Sequence, residues 1–180
     1  MVKMKYSIYE PLEDSYFFKD FLIKYLSKIL IKSHLDVGTG SGILAKVSSK
    51  IIGKESVLAT DINESAIENL KDIKGVKGIV SNLFENVNGK FDLITFNAPY
   101  LPLDKREPKD SKIATTGGIK GDEISLKFLK EAKKHLTKSG RILLLISSLT
   151  PFNKIEKYSP VIVARKKLFN EVLLILEFME

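Results

Sequence analysis

The chain reads as an α/β protein: a doubly wound, mostly parallel sheet of seven strands that ends in an antiparallel hairpin. Three observations predict it. Apolar runs of strand length alternate with helical stretches from residue 13 to residue 146, the order that places helices on both faces of a parallel sheet. A glycine-rich segment, Gly38-Thr39-Gly40-Ser41-Gly42, stands between the first strand and the following helix. Near the end, Val161 to Leu168 and Val172 to Phe178 flank the short polar turn Phe169-Asn170-Glu171, a hairpin signal.

Taken in order, residues 13–31 carry Phe17, Phe18, Phe21, Leu22, Tyr25, Leu26, Ile29 and Leu30 at helical spacing. Glu13 and Asp14 supply negative charge where a helix start favours it. Leu35 to Val37 is a short buried strand, and Gly42 to Ile51 the helix after it. Ser56 to Thr60 forms the second strand and Glu64 to Lys71 a helix. Val76 to Val80 and Phe91 to Phe96 are the third and fourth strands. Residues 101–121 hold Pro102, Pro108, Gly117, Gly118, Gly121 and many charges, so a long loop is expected, and loops of that length usually have a function. Asp122 is expected to cap a helix reaching about Leu136. Arg141 to Ile146 is the fifth strand, introduced by Ser139-Gly140. With 180 residues, one domain over 1–180 is expected, its first 32 residues forming a helical segment packed on the rest.

Composition narrows the chemistry. There is no cysteine, which removes disulfides and thiolate catalysis. The two histidines, His34 and His135, are too far apart in sequence to make a metal site an expectation. No apolar run approaches the ~18 residues of a membrane span. Met1 to Tyr6 lacks the apolar core of a secretory signal, so a cytoplasmic protein is expected. The net charge of +7 is nearly all lysine, spread along the chain among 22 acidic residues. No basic stripe with interleaved aromatics marks a nucleic-acid surface.

Gly38, Gly40 and Gly42 permit a tight turn and close approach of backbone to a ligand. The spacing is G-x-G-x-G, with Ile43 where the dinucleotide fingerprint has its third glycine. That argues against NAD and FAD. A P-loop sequence is absent. Asp61 ends the second strand, 19 residues past Gly42, where a carboxylate accepts both hydroxyls of a ribose. Asp36 would be a costly buried charge unless an ammonium group or backbone amide pairs it. S-adenosylmethionine offers both a ribose and an ammonium. Asn82 and Leu83 follow the third strand, beside an expected adenine: Asn82 to bond the base edge, Leu83 to pack on its face. An ordinary Asn turn is the competing reading.

Asn97-Ala98-Pro99-Tyr100 follows the fourth strand. An amide or amino nitrogen is a poor nucleophile, because its lone pair is delocalised. A site helps by accepting hydrogen bonds from both N–H groups, with the Asn97 side-chain oxygen and the Ala98 carbonyl as the two acceptors. Pro99 stiffens the turn, and Tyr100 stacks on a flat substrate group. The gain comes from position and desolvation.

On these residues the chain resembles the class I S-adenosylmethionine-dependent methyltransferases of the HemK type, which methylate the glutamine of the Gly-Gly-Gln motif in translation release factors. Tyr9 to Ser15 resembles the family's N-terminal signature, Leu35 to Gly42 its cofactor loop, Asp61-Ile62-Asn63 its ribose motif, and Asn97 to Tyr100 its Asn-Pro-Pro-Tyr motif. Ala164 to Lys167 and Glu171 to Leu173 fit its closing hairpin. About 35 residues precede the cofactor loop, too few for the helical domain of the bacterial branch, so the chain is similar to the archaeal and eukaryotic branch. The resemblance implies a class I release factor as substrate and a small zinc-binding activator of the Trm112 type as partner. It places Ser15, Asp36, Gly38, Asp61, Asn82 and Leu83 on cofactor-binding positions and Asn97 on the substrate position; Thr39, Gly40, Gly42 and Ile62, in the same cofactor-loop and ribose motifs, are expected to join the cofactor site. Two residues depart from the pattern. Ala98 replaces a proline, and Asn82 stands where aspartate is usual. Two other functions fit the same residues: adenine N6-methylation of DNA or RNA, and a cofactor-binding scaffold without turnover. If the third strand lies at the sheet edge, Val76, Ile79 and Val80 are either guarded by Lys74 and Lys77 or covered by an added strand of the activator.

Overall fold

The computed structural model describes residues 10–53, 55–108, 112 and 114–179. Tyr9, which opens the N-terminal signature, lies outside them. Helix α1 (Glu13–Leu26) leads into strand β1 (His34–Val37), then α2 (Ile43–Ile52), β2 (Val57–Asp61), α3 (Glu64–Asn69), β3 (Val76–Val80) and β4 (Phe91–Asn97). Helix α4 (Glu123–Ala132), β5 (Leu136–Ser147), β6 (Val161–Lys167) and β7 (Val172–Met179) complete the chain. The seven strands form one sheet in the order β3-β2-β1-β4-β5-β7-β6. Strands β1 to β5 pair in parallel, while β7 runs antiparallel to both β5 and β6. The strand order reverses at β1, between its neighbours β2 and β4, and such a reversal opens a crevice at the carboxyl ends of the strands.

Strand β5 shows why the sheet is buried on both faces. Ile142, Leu144 and Ile146 join Phe128, Leu129 and Ala132 of α4 on one side. Leu143 and Leu145 join Phe18, Leu22 and Leu26 of α1 and Leu44 of α2 on the other. Successive strand residues point to opposite faces, so a continuous apolar run is what a doubly covered strand requires. Truncating a fully buried aromatic such as Phe128 to alanine typically costs ~3–5 kcal/mol.

Four expectations change. Helix α1 ends at Leu26 and not near residue 31. Helix α4 ends at Ala132, followed by a tight turn over Lys133–His135; Leu136 already belongs to β5, where it faces Phe91. The apolar spacing alone could not separate a last helical turn from a first buried strand residue. Asp122 occupies the cap position but makes no capping bond. Its carboxylate is fully buried and pairs with Lys154 Nζ at 3.2 Å. Last, the described residues of the 101–121 segment are not all free loop. Leu101 N–H donates to Thr115 O at 2.9 Å, and Gly117 N–H to Leu101 O at 2.9 Å, in a short parallel bridge. Gly117 has to be glycine here: a Cβ would stand 2.5 Å from Pro99 O and 2.3 Å from Gly121 O. Leu101, Thr115 and Gly117 are therefore packed backbone to backbone beside the Asn97–Tyr100 turn.

Candidate active site

A cavity of about 460 Å³ opens at the carboxyl ends of β1, β2 and β4. The glycine-rich turn forms its floor. Gly38, Gly40 and Gly42 all take positive φ, at 60°, 53° and 77°. A Cβ on Gly42 would lie 2.5 Å from Leu70 Cδ2, so both conformation and packing demand glycine there.

Asp36 lies beneath this turn, 1% exposed. A backbone amide pairs it, that of Ala45, together with two hydroxyl groups. Thr39 Oγ1 donates to Asp36 Oδ2 at 2.7 Å, and Thr95 Oγ1 donates to Asp36 Oδ1 at 2.7 Å. Behind Thr95, His34 Nε2 lies 2.8 Å from the same hydroxyl. Since Thr95 spends its proton on Asp36, His34 Nε2 is the donor in that contact and the imidazole is neutral. Burial raises the Asp36 carboxyl to about 6 and lowers His34 to about 3.

Asp61 holds the turn from the β2 side. Gly40 N–H donates to Asp61 Oδ2 at 2.8 Å and Asn63 N–H to Asp61 Oδ1 at 2.8 Å. Desolvation raises its carboxyl despite these bonds. Ile62 beside it is 58% exposed and lines the cavity, an apolar face suited to a flat base. Asn63 caps α3 by accepting from Ser65 N–H at 3.0 Å. Across the cavity, Asn82 Nδ2 donates to Glu85 Oε1 at 2.7 Å, which orients the amide. Leu83 takes φ 51°, rare for a leucine and held by Ser81 Oγ, which donates to Leu83 O at 3.0 Å. Such strain is common where a side chain is aimed at a ligand.

Asn97 ends β4. Its Nδ2 donates to Asp14 Oδ2 at 3.0 Å and reaches Ser15 Oγ at 3.3 Å. Its Oδ1 is buried and has no hydrogen-bond partner among the described residues. A buried carbonyl oxygen without a donor is costly, and Nδ2 is fixed such that the amide keeps this orientation. Ala98 is 2% exposed, and Thr150 Oγ1 ties Tyr100 O at 3.1 Å. Ser15, Asp36, Gly38, Thr39, Gly40, Asp61, Ile62, Asn82, Leu83, Asn97, Ala98 and Pro99 thus share one cavity, while Gly42 shapes the turn from behind and Tyr100 borders a second space. The sequence reading missed the part of Asp14, taken only as a helix-start charge, and that of Thr95. It also missed Lys127 and Ile124 of α4, which line the same cavity. Only the Asp14-Ser15 adjacency in the N-terminal signature pointed that way.

A cavity at the strand reversal, a floor of positive-φ glycines without side chains, and polar groups around it fit a nucleoside-bearing cofactor. The comparisons agree. The methyltransferase small domain model matches residues 19–172. A protein of Methanocaldococcus jannaschii, named provisionally as a protein N5-glutamine methyltransferase, is 37% identical over 156 residues, covering 83% of this chain and 77% of its own. A Deinococcus radiodurans protein named release factor glutamine methyltransferase is 31% identical over 121 residues, 61% of this chain and 44% of that longer one. Among solved structures, ribosomal protein L11 methylase from Lactobacillus delbrueckii subsp. bulgaricus superposes with TM-score 0.67 at 25% identity, over 95% of this chain and 81% of that one. The chain belongs to the methyltransferase small domain family and is a class I methyltransferase that uses S-adenosyl-L-methionine.

Proposed function

We propose that the chain transfers a methyl group to the side-chain amide nitrogen of a glutamine in a translation release factor. The observation that carries this reading is the Asn97 amide. Its nitrogen is occupied by Asp14 and Ser15, and its oxygen is buried and unpartnered among the described residues. An acceptor NH₂ group brings two N–H donors. Asn97 Oδ1 takes one and the Ala98 carbonyl takes the other, which points the nitrogen lone pair into the cavity. S-adenosylmethionine supplies the electrophilic methyl when bound. The chain supplies position and exclusion of water. Asp61 is assigned to the ribose, Asn82 and Leu83 to the adenine, and Ser15 with the Gly38–Gly42 turn to the amino-acid end. Residues 1–180 act as one domain, in the cytoplasm where release factors work.

The test is transfer of labelled methyl to a purified class I release factor, with DNA and RNA as parallel acceptors. Label on the release factor, lost when its Gly-Gly-Gln glutamine is replaced, is the expected result. Label on nucleic acid alone would establish the adenine reading instead. No label anywhere, with cofactor bound, would mean a scaffold.

The sheet order puts β3 at an edge, with Lys77 exposed and Val80 41% exposed. We further propose that a small zinc-binding Trm112-like activator adds a strand there. Co-expression should give a complex that elutes together, disrupted by Ile79→Lys. Separate elution with unchanged activity rejects this partner.

A further inference from the structure

We propose that a second cavity, beyond the Asn97–Tyr100 turn, is a subsite for the polypeptide that flanks the acceptor side chain. This rests on the glutamine reading above. The cavity measures about 370 Å³ and lies between the start of α1 and the β6–β7 turn. It shares Asp14 and Ala114 with the cofactor cavity, so the two are neighbours across one wall. Leu12, Leu101, Leu168 and Tyr100 line it with Ala114 and Thr115.

Its polar group is Glu171. Oε2 of this residue is buried and has no hydrogen-bond partner among the described residues. A carboxylate oxygen in that position calls for an N–H donor from whatever fills the space. An extended polypeptide offers such donors along its backbone and alternates side chains onto the apolar wall. Charge separates this occupant from a nucleic acid. Glu13, Asp14 and Glu171 all line the cavity, and no Lys or Arg does so among the described residues. Lys166, which is not among the lining residues, pairs with Glu13 at 3.3 Å. A phosphate backbone next to the acceptor turn would meet like charge. Phe169, at the hairpin tip beside Leu168, is 98% exposed and extends the apolar surface outward, as an anchor for a protein partner would.

The experiment compares two acceptors, N-acetylglutamine methylamide and a nine-residue peptide with a central Gly-Gly-Gln, on the full chain with S-adenosylmethionine. The quantity read is the ratio of the peptide's kcat/KM to that of N-acetylglutamine methylamide. Glu171→Gln and Leu12→Asp should each lower the ratio, Glu171→Gln by roughly ten-fold through a higher peptide KM, the size expected for a lost bond to a charged acceptor. Leu12 is 60% exposed, so its variant tests the subsite even if Glu171→Gln folds poorly. An unchanged ratio in both variants overturns the subsite while the glutamine reading stands. Methylation of neither acceptor, with nucleic acid methylated instead, overturns both.

Discussion

The cofactor floor and the acceptor turn lie side by side in one cavity, yet they handle polar atoms in opposite ways. In the floor each carboxylate oxygen of Asp36 and of Asp61 has a partner within the chain, from Thr39, Thr95, Gly40 and Asn63. In the turn, Asn97 is held by its nitrogen and leaves its oxygen open. The floor is internally satisfied, so it keeps its shape while ligand exchanges. The turn carries an acceptor whose partner must come from outside. A group that positions a reacting nitrogen needs this open valence, whereas a carboxylate such as Asp61 supports a loop with one lone pair on each oxygen and keeps the others for a ligand.

The sharpest break of that contrast is Asn97→Ala. It removes the open acceptor and leaves the floor intact. Turnover should fall by roughly 10²–10³, as for other lost positioning bonds, with cofactor affinity changed less than about two-fold. Single-turnover transfer and calorimetry read the two quantities. A variant retaining a tenth of wild-type turnover is incompatible with the role given to Asn97.

The next effect is on stability and concerns the floor. Asp36 is raised to about 6 from 3.8, so the folded chain keeps a proton that the unfolded chain has lost between those values. Its contribution therefore falls as pH rises from about 4 to 6. His34 is lowered to about 3 from 6.5, so its contribution rises with pH over that window and is lost on acidification. Each slope is ~1.4 kcal/mol per pH unit, and between about pH 4 and 6 they cancel. Asp36→Asn removes one of them. Relative to wild type, the variant should lose about 3 kcal/mol on going from pH 6 to 4, read by urea unfolding. Parallel wild-type and variant curves would show that the two groups do not offset one another.

Asp61→Ala should weaken S-adenosylmethionine binding by ~1–3 kcal/mol, with NAD still not bound. It also frees the Gly40 and Asn63 N–H groups, so part of the loss is loop order. Calorimetry decides, and an affinity unchanged within two-fold removes Asp61 from the cofactor site. Ala98→Pro has the smallest effect. Thr150 and Gly117 already brace the turn, so restoring the family's proline should keep or raise turnover, by no more than a few-fold. Loss of activity would mean that the turn has adapted to alanine.

The period of the apolar pattern determined strands β1 to β4, the parallel order and the closing hairpin, because burial on two faces writes itself into consecutive residues of β5 and into the 3.6 spacing of α1. The glycine spacing and the acid at the end of β2 determined the cofactor class. The tertiary structure alone decided which partners those residues took. Asp36 is paired by Thr95, 59 positions away, and Asn97 by Asp14, 83 positions away. Asp122 abandoned its cap for Lys154, and Gly117 packed onto Pro99. Local pattern reports what a residue must bury. It cannot report which distant atom meets it there, because that is fixed by how the strands stack and where the helices cross them.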